Sequence, residues 1–337
     1  MSTPDDREYF EGSGYDRETV RFFDVAHEGA QIRAVAGALS ELTRLRGASI
    51  RSVIIIAPDH LARVAAHFAV AQRSPLRIPV VVTDALPAYV GALDVILALS
   101  DRGDDSRLAQ GLITADRRGA ATVLAGPYRG PLLEDTPGDT VVIPALPTVA
   151  GFSPSRVIAA VVALLDVLEE GDVPVGDTLS ALADNVDAEL SVLSPERDES
   201  VNPGRQLRSF VEGARVVHTG EPDRGDGDGA VGVHVAELVA HLWSAAGLAS
   251  GFADPADFPA ALGDEPEAVA DSIFHDPFID GPENAVTLKT IVWAAASSPL
   301  PRSLPVRVDT AAPTLGRLDV ALRLIVRALA APTYTVA

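Results

Sequence analysis

The chain has 337 residues, 47% of them hydrophobic, enough for one large core or two ordinary ones, and the length favours two domains. It contains no cysteine, which excludes disulfides, thiolate metal sites and cysteine nucleophiles. Its net charge of -20, with no basic stripe, excludes nucleic acid and anionic lipid as partners.

In chain order, the first residues, MSTPDDREYFEGSGYDRE, are acidic and polar and lack the basic and apolar regions of a signal peptide, so a cytoplasmic protein is expected, with residues 1–16 as a flexible acidic segment. RETVRFFDVAHEGAQIRAVAGALSELTRL has apolar residues at helical spacing and predicts one or two helices packed across the first sheet. A regular series follows: strand 52–58, a helix to about Arg73, strand 78–83, strand 94–100, helix 105–118, strand 121–126 and strand 140–146. Runs of Val, Ile and Leu separated by helices indicate a parallel sheet covered on both faces, a doubly wound α/β unit spanning 17–150.

GFSPSRVIAAVVALLDVLEEGDVP opens on a Ser-Pro turn and predicts a connecting helix at the start of a second unit, 151–337. Charge interrupts this apolar run before the ~18–20 residues a membrane helix requires, so no membrane partner is expected. After a helix around 176–193 and the turn-rich SPERDESVNPGR, the pattern resumes with strand 214–220, a Gly/Asp loop, helix 230–247, strands 286–296 and 304–310, and a last helix 317–330. The fold class is α/β, two doubly wound parallel-sheet, flavodoxin-like subdomains with flanking helices.

Local motifs carry little chemistry. Gly227, Gly229 and Gly232 form G-x-G-x-x-G between a strand and a helix, but Asp226 and Asp228 would face a pyrophosphate, and the stretch reads as a surface loop. Asp226, Asp228 and Glu237 fall at EF-hand positions 1, 3 and 12, while Ala230 and Val231 occupy positions needing a ligand and a glycine. His234 and His241 sit on one helix face, a spacing more common in structural than in metal-binding pairs. There is no H-E-x-x-H, G-x-S-x-G or P-loop, and no cofactor is expected.

The most informative stretch is DVILALSDRGDDSRL, residues 94–108, a buried strand running through a glycine turn into a helix. Together with AATVLAG and GFSPSRVIAAVVALLDVL it resembles the sugar isomerase (SIS) fold, most closely the bifunctional phosphoglucose/phosphomannose isomerase family, from about residue 30 to the end. The resemblance implies a homodimer that binds a carbohydrate derivative, with Ser100, Arg102, Gly103 and Ser106 as ligand-binding positions. It also implies a catalytic-type arginine at Arg156, which the family uses to stabilise an enediol-type intermediate.

The family turn is S-x-S-G-N-T-E-E-T. Here Ser100 and Gly103 match, Arg102 replaces the second serine, Asp104 the asparagine and Asp105 the threonine. A carboxylate ~4 Å from a phosphate costs about 1 kcal/mol in water and several times that in a partly dry cleft. Asp104 and Asp105 are good helix N-caps, so the turn reads as self-capped, with Arg102 either facing the cleft or paired with one of them. The family's glycine-rich first loop is replaced by IIIAPDHLA, in which Pro58 removes an amide. Its N-E-N-A-K glutamate and following histidine are missing from HLWSAAGLASGF. Glu237, Glu212 and His275 remain as substitutes for a proton-transfer group. The reading is a catalytically degenerate SIS-fold binding protein; the alternatives are an active aldose–ketose isomerase of glucose, mannose and fructose 6-phosphates, and an interaction protein on an inherited scaffold.

Overall fold

The computed structural model describes residues 16–148, 151–169, 175–221, 228–258, 286–309 and 315–335, with the side chains of 228 and 229 excepted. The expected flexible N-terminal segment lies outside these residues except for Asp16, whose carboxylate caps the first helix by accepting from the Thr19 amide at 3.0 Å. Three helices, α1 (Arg17–Val25), α2 (Glu28–Gly37) and α3 (Leu39–Leu42), precede the first sheet.

That sheet contains β1 (Ser52–Ile56), β2 (Val80–Thr83), β3 (Asp94–Leu99), β4 (Ala121–Gly126) and β5 (Val141–Pro144) in the order β2-β1-β3-β4-β5, all parallel. β1 and β3 are buried along their whole length, as unbroken aliphatic strands in a doubly covered sheet must be. Helices α4 (His60–Arg73), α5 (Ser106–Arg117) and α6 (Pro131–Glu134) connect them. Ile54, Ile56, Ile96 and Ala98 point to one face, packed on Leu108 and Leu112 of α5, while Val53, Ile55, Val95 and Leu97 face the main core.

The second sheet is β6 (Arg215–Gly220), β7 (Ser250–Phe252), β8 (Leu288–Trp293) and β9 (Ser303–Val306), ordered β7-β6-β8-β9 and also parallel. Its described helices are α7 (Pro154–Glu169), α8 (Val175–Val192), α9 (Pro203–Phe210), α10 (Asp228–Ala245) and α11 (Gly316–Ala330). β7 was not expected from the sequence: three residues, SGF, carry no alternation. α9 begins inside the stretch read as turns, and its signal was present, since Asn202 caps the Gly204 and Arg205 amides with Pro203 at the first helical position.

A layer of helices between the sheets forms the main core. α7 packs on α4 and α2, α8 on α2 and α11, and α10 on α4 and α11. Every residue of α7 from Pro154 to Val167 is buried, so its two charges need internal partners: Arg73 forks onto Asp166 at 2.7 and 2.9 Å, and Arg156 pairs with Asp101. His234 and His241 do share one face of α10, and both point across the seam to α4. His60 Nε2 lies 3.1 Å from His241 Nδ1, and the Gln72 amide 3.2 Å from His234 Nδ1. Among the described residues no helix is long and apolar enough to cross a membrane, and no group of three or more metal-ligating side chains is placed to hold an ion.

Candidate functional site

Strand order reverses between β1 and β3, and in open α/β sheets ligands enter the crevice beyond the carboxyl ends of the strands at such a point. Here the crevice is framed by the start of α4 after β1 and the start of α5 after β3. Asp59 caps α4, accepting from the Leu61 and Ala62 amides at 2.9 and 3.4 Å. Asp105 caps α5, accepting from the Leu108 amide at 3.0 Å. Three amides at these helix starts, of the kind a phosphate would use, are therefore engaged by the chain's own carboxylates.

Of the two aspartates expected to cap α5, only Asp105 does so. Asp104 contributes its backbone carbonyl to the Ser106 amide at 2.9 Å. Arg102 pairs with neither of them: its guanidinium, largely exposed, reaches across the crevice to Asp59 at 3.6 Å. Sequence proximity favoured a partner in the same turn, whereas the crossover brings Asp59 to the opposite wall.

Of the remaining expected positions, Ser100 and Gly103 make internal bonds and Ser106 is exposed. Ser100 is buried, its amide donating to the Ala125 carbonyl at 3.2 Å and its Oγ accepting from the Arg102 amide at 3.1 Å. Ser106 is the first residue of α5 and exposed. Gly103 meets a backbone contact: a Cβ there would lie 2.9 Å from the Arg129 carbonyl, and its own carbonyl accepts from the Leu132 amide at 2.8 Å. The opposing residue, Gly130, has φ 115° and ψ 171°, a region open essentially to glycine alone. Gly130→Ala is expected to cost about 1–3 kcal/mol in urea unfolding, more than Gly103→Ala, because it adds backbone strain to the clash; equal costs would remove the strain argument.

Arg156 lies beneath the crevice, 1% exposed. Its Nη1 donates to the Gly126 carbonyl at 3.0 Å and the Ile143 carbonyl at 3.5 Å, and its Nη2 pairs with Asp101. It thereby ties α7 to the ends of β3, β4 and β5. Burial lifts the Asp101 carboxyl above the ordinary carboxylate range, and the Arg156 charge pulls it partly back.

The residue that sequence reasoning missed is Glu28 on α2. It is 2% exposed, and its Oε2 accepts from the Ser155 amide at 3.0 Å, one residue from Arg156. Burial pushes its carboxyl up to about 7; hydrogen bonds from Ser155 and Ser153 oppose this, and the negative charge of Asp101 adds to it. A signal did exist, because Glu28 stands four and seven residues before Ile32 and Val35, both fully buried, and so on the apolar face of its helix.

The substitutes named for the missing proton-transfer group are not gathered here. Glu237 is exposed on α10, Glu212 is exposed and paired with Arg208, and His275 lies outside the described residues, as do Asp226 and Gly227 of the glycine-rich loop. Gly232, the last glycine of that motif, serves packing: a Cβ there would lie 2.3 Å from the Trp293 carbonyl, so α10 can rest on the end of β8 only without a side chain. His218 on β6 is fully buried between Trp243 and Trp293, its Nδ1 accepting from the Trp293 indole at 3.0 Å, and burial pushes its pKa down to about 3. It is a neutral core histidine.

No protein-family model matches the chain, and no curated protein matches it by sequence. Solved structures do. A candidate phosphosugar isomerase from Silicibacter pomeroyi DSS-3 superposes with a TM-score of 0.60 at 16% identity, covering 93% of this chain and 96% of that one. The C-terminal domain of glucosamine-fructose-6-phosphate aminotransferase from Francisella tularensis gives 0.56 at 11% identity, covering 93% and 96%. Tagatose-6-phosphate ketose/aldose isomerase from Escherichia coli gives 0.57 at 12% identity, covering 96% and 93%. Identities this low establish architecture alone: the chain has the two-sheet fold of the SIS-type phosphosugar isomerases over nearly its whole length.

Proposed function

We propose that this chain binds a carbohydrate derivative, of the sugar-phosphate class, on an SIS scaffold and does not interconvert aldose and ketose. The ligand class is supported by the fold, whose similar structures include proteins named for fructose-6-phosphate and tagatose-6-phosphate. The loss of turnover is supported by one observation above the rest: the catalytic-type Arg156 is enclosed, its two terminal nitrogens bonded to Asp101 and two strand-end carbonyls, under a crevice whose helix starts are capped by Asp59 and Asp105. The specific phosphoglucose/phosphomannose branch has no support beyond the motif likeness.

The test is a thermal-shift panel of hexoses and hexose 6-phosphates beside a coupled assay for fructose 6-phosphate interconversion. At a hundredfold excess over Kd a ligand adds about 2.7 kcal/mol of stability. Stabilisation by at least one panel member without turnover is expected. No shift with any member, or turnover above a protein-free control, would sink the proposal.

The isomerase reading has one observation in its favour, the buried Glu28 carboxyl held by the Ser155 amide, with a pKa of about 7, where a general base works best. Turnover lost on Glu28→Gln would establish it.

A further inference from the structure

We infer that His60 and His241 form a binding site for a nitrogen-preferring divalent transition-metal ion of the zinc class, a clip that joins the first half of the chain to the second. The Nε2 of His60, the first residue of α4, lies 3.1 Å from the Nδ1 of His241 near the end of α10. Neither ring has a role in the sugar-phosphate binding proposed above, and the site stands independently of it. His234, which shares the α10 face, is not the second ligand, because its Nδ1 faces the Gln72 amide at 3.2 Å. The pair is made across the seam.

The spacing suits ligation. Two imidazole nitrogens bound to one ion at about 2.1 Å lie about 3.0 Å apart when they subtend a right angle and about 3.4 Å apart in a tetrahedron. The observed 3.1 Å falls within that interval. The rings cross at 81° with their centroids 4.6 Å apart, so the contact is made by nitrogen atoms and not by stacked faces. In the ion-free chain the same distance serves an N–H···N hydrogen bond. When the ion arrives, the ring that donated moves its proton to its other nitrogen, with no net release.

Both nitrogens are delivered by packed helices. Asp59 caps α4 immediately before His60, and α4 and α10 run past one another in opposite directions, since Phe68 and Gln72 further along α4 meet His234 nearer the start of α10. The ligands are thus positioned in advance, which lowers the ordering cost of binding. His60 is exposed and His241 half-buried, so an ion can enter from solvent. Among the described residues no third ligating side chain is gathered at the pair, and water completes the coordination. Glu237, exposed one turn before His241, is close enough for its negative charge to act on that ring. Arg63, one turn after His60, is turned to the Ala57 and Pro58 carbonyls at 2.7 and 3.2 Å. The net charge of -20 draws cations from a distance, and imidazole ligands select zinc, copper or nickel over magnesium.

The experiment is calorimetric titration of the metal-free full chain with zinc chloride and separately with magnesium chloride, for wild type, His60→Ala, His241→Ala and His67→Ala. His67 is an exposed α4 histidine outside the pair. Changing an outer-shell partner of a metal ligand already costs about 10–100-fold in affinity, so removing a ligand should cost at least tenfold. The expected result is zinc binding weakened at least tenfold in both His60→Ala and His241→Ala, unchanged in His67→Ala, and no comparable response to magnesium. Zinc should also raise the thermal midpoint of wild type and leave that of the two pair variants in place, because an ion held only by the folded chain stabilises it. His241→Gln, which keeps a polar side chain of similar size, supplies the same reading if His241→Ala melts early.

Absence of zinc binding in wild type overturns the inference. So does affinity kept in either single variant, an equal loss in His67→Ala, or magnesium bound as well as zinc. None of these outcomes bears on the sugar-phosphate proposal, which has its own panel.

Discussion

Arg156→Ala is expected to destabilise the chain by about 3–5 kcal/mol, the usual consequence of removing one member of a buried ion pair. The substitution strands the Asp101 carboxylate, leaves the Gly126 carbonyl without its 3.0 Å donor, and empties the volume of one of the largest fully buried side chains. Arg156→Lys keeps the charge but not the fork that reaches Asp101 and the strand-end carbonyl together, so its cost should fall between alanine and wild type. The midpoint of urea unfolding at constant m reads this directly. An unchanged midpoint would mean that the pair contributes nothing to folding, and Arg156 would again be available to a ligand.

The second large effect is a pH dependence centred on Glu28. Its carboxyl has an ordinary value of 4.5 and about 7 in the folded chain. Below 4.5 it is protonated in both states and costs nothing. Between 4.5 and 7 the folded chain keeps a proton that the unfolded chain releases, so stability falls as pH rises. Above 7 the whole cost of about 3 kcal/mol is present. Asp101, also raised, slopes the same way. His218 slopes oppositely: its folded value of about 3 lies below the ordinary 6.5, so its contribution is lost as pH falls from 6.5 towards 3. The comparison with Glu28→Gln cancels His218, which both proteins share. Wild type should lose about 3 kcal/mol relative to Glu28→Gln between pH 4.5 and 8. A difference that stays flat would show that the carboxyl titrates as an exposed one does.

These residues also show where sequence reasoning succeeds. β4 lies where its pattern put it, residues 121–126, and β1 and β3 agree at their starts and end one or two residues early. An aliphatic run in a doubly covered strand is a local property, and it stops where the pleat does. Asp105 was legible as a cap because a cap bonds three residues ahead. Arg102 was not legible, since its partner Asp59 stands on a different loop and only the strand reversal between β1 and β3 brings them together. β7 was too short to show a pattern, and α9 had its Asn-Pro start overlooked among turn residues.

The sequence by itself determined the architecture: which segments are strands, that they run parallel under helices, that two such units follow one another, and that acidic residues stand at the first helix starts. Periodicity and capping operate within a few residues, so one chain read alone carries them. Only the tertiary structure decided that Arg156 is enclosed and that burial pushes the Glu28 carboxyl up to about 7. Burial and Coulomb energies depend on distances through space between residues remote in the chain, and those distances exist only after the sheets have formed.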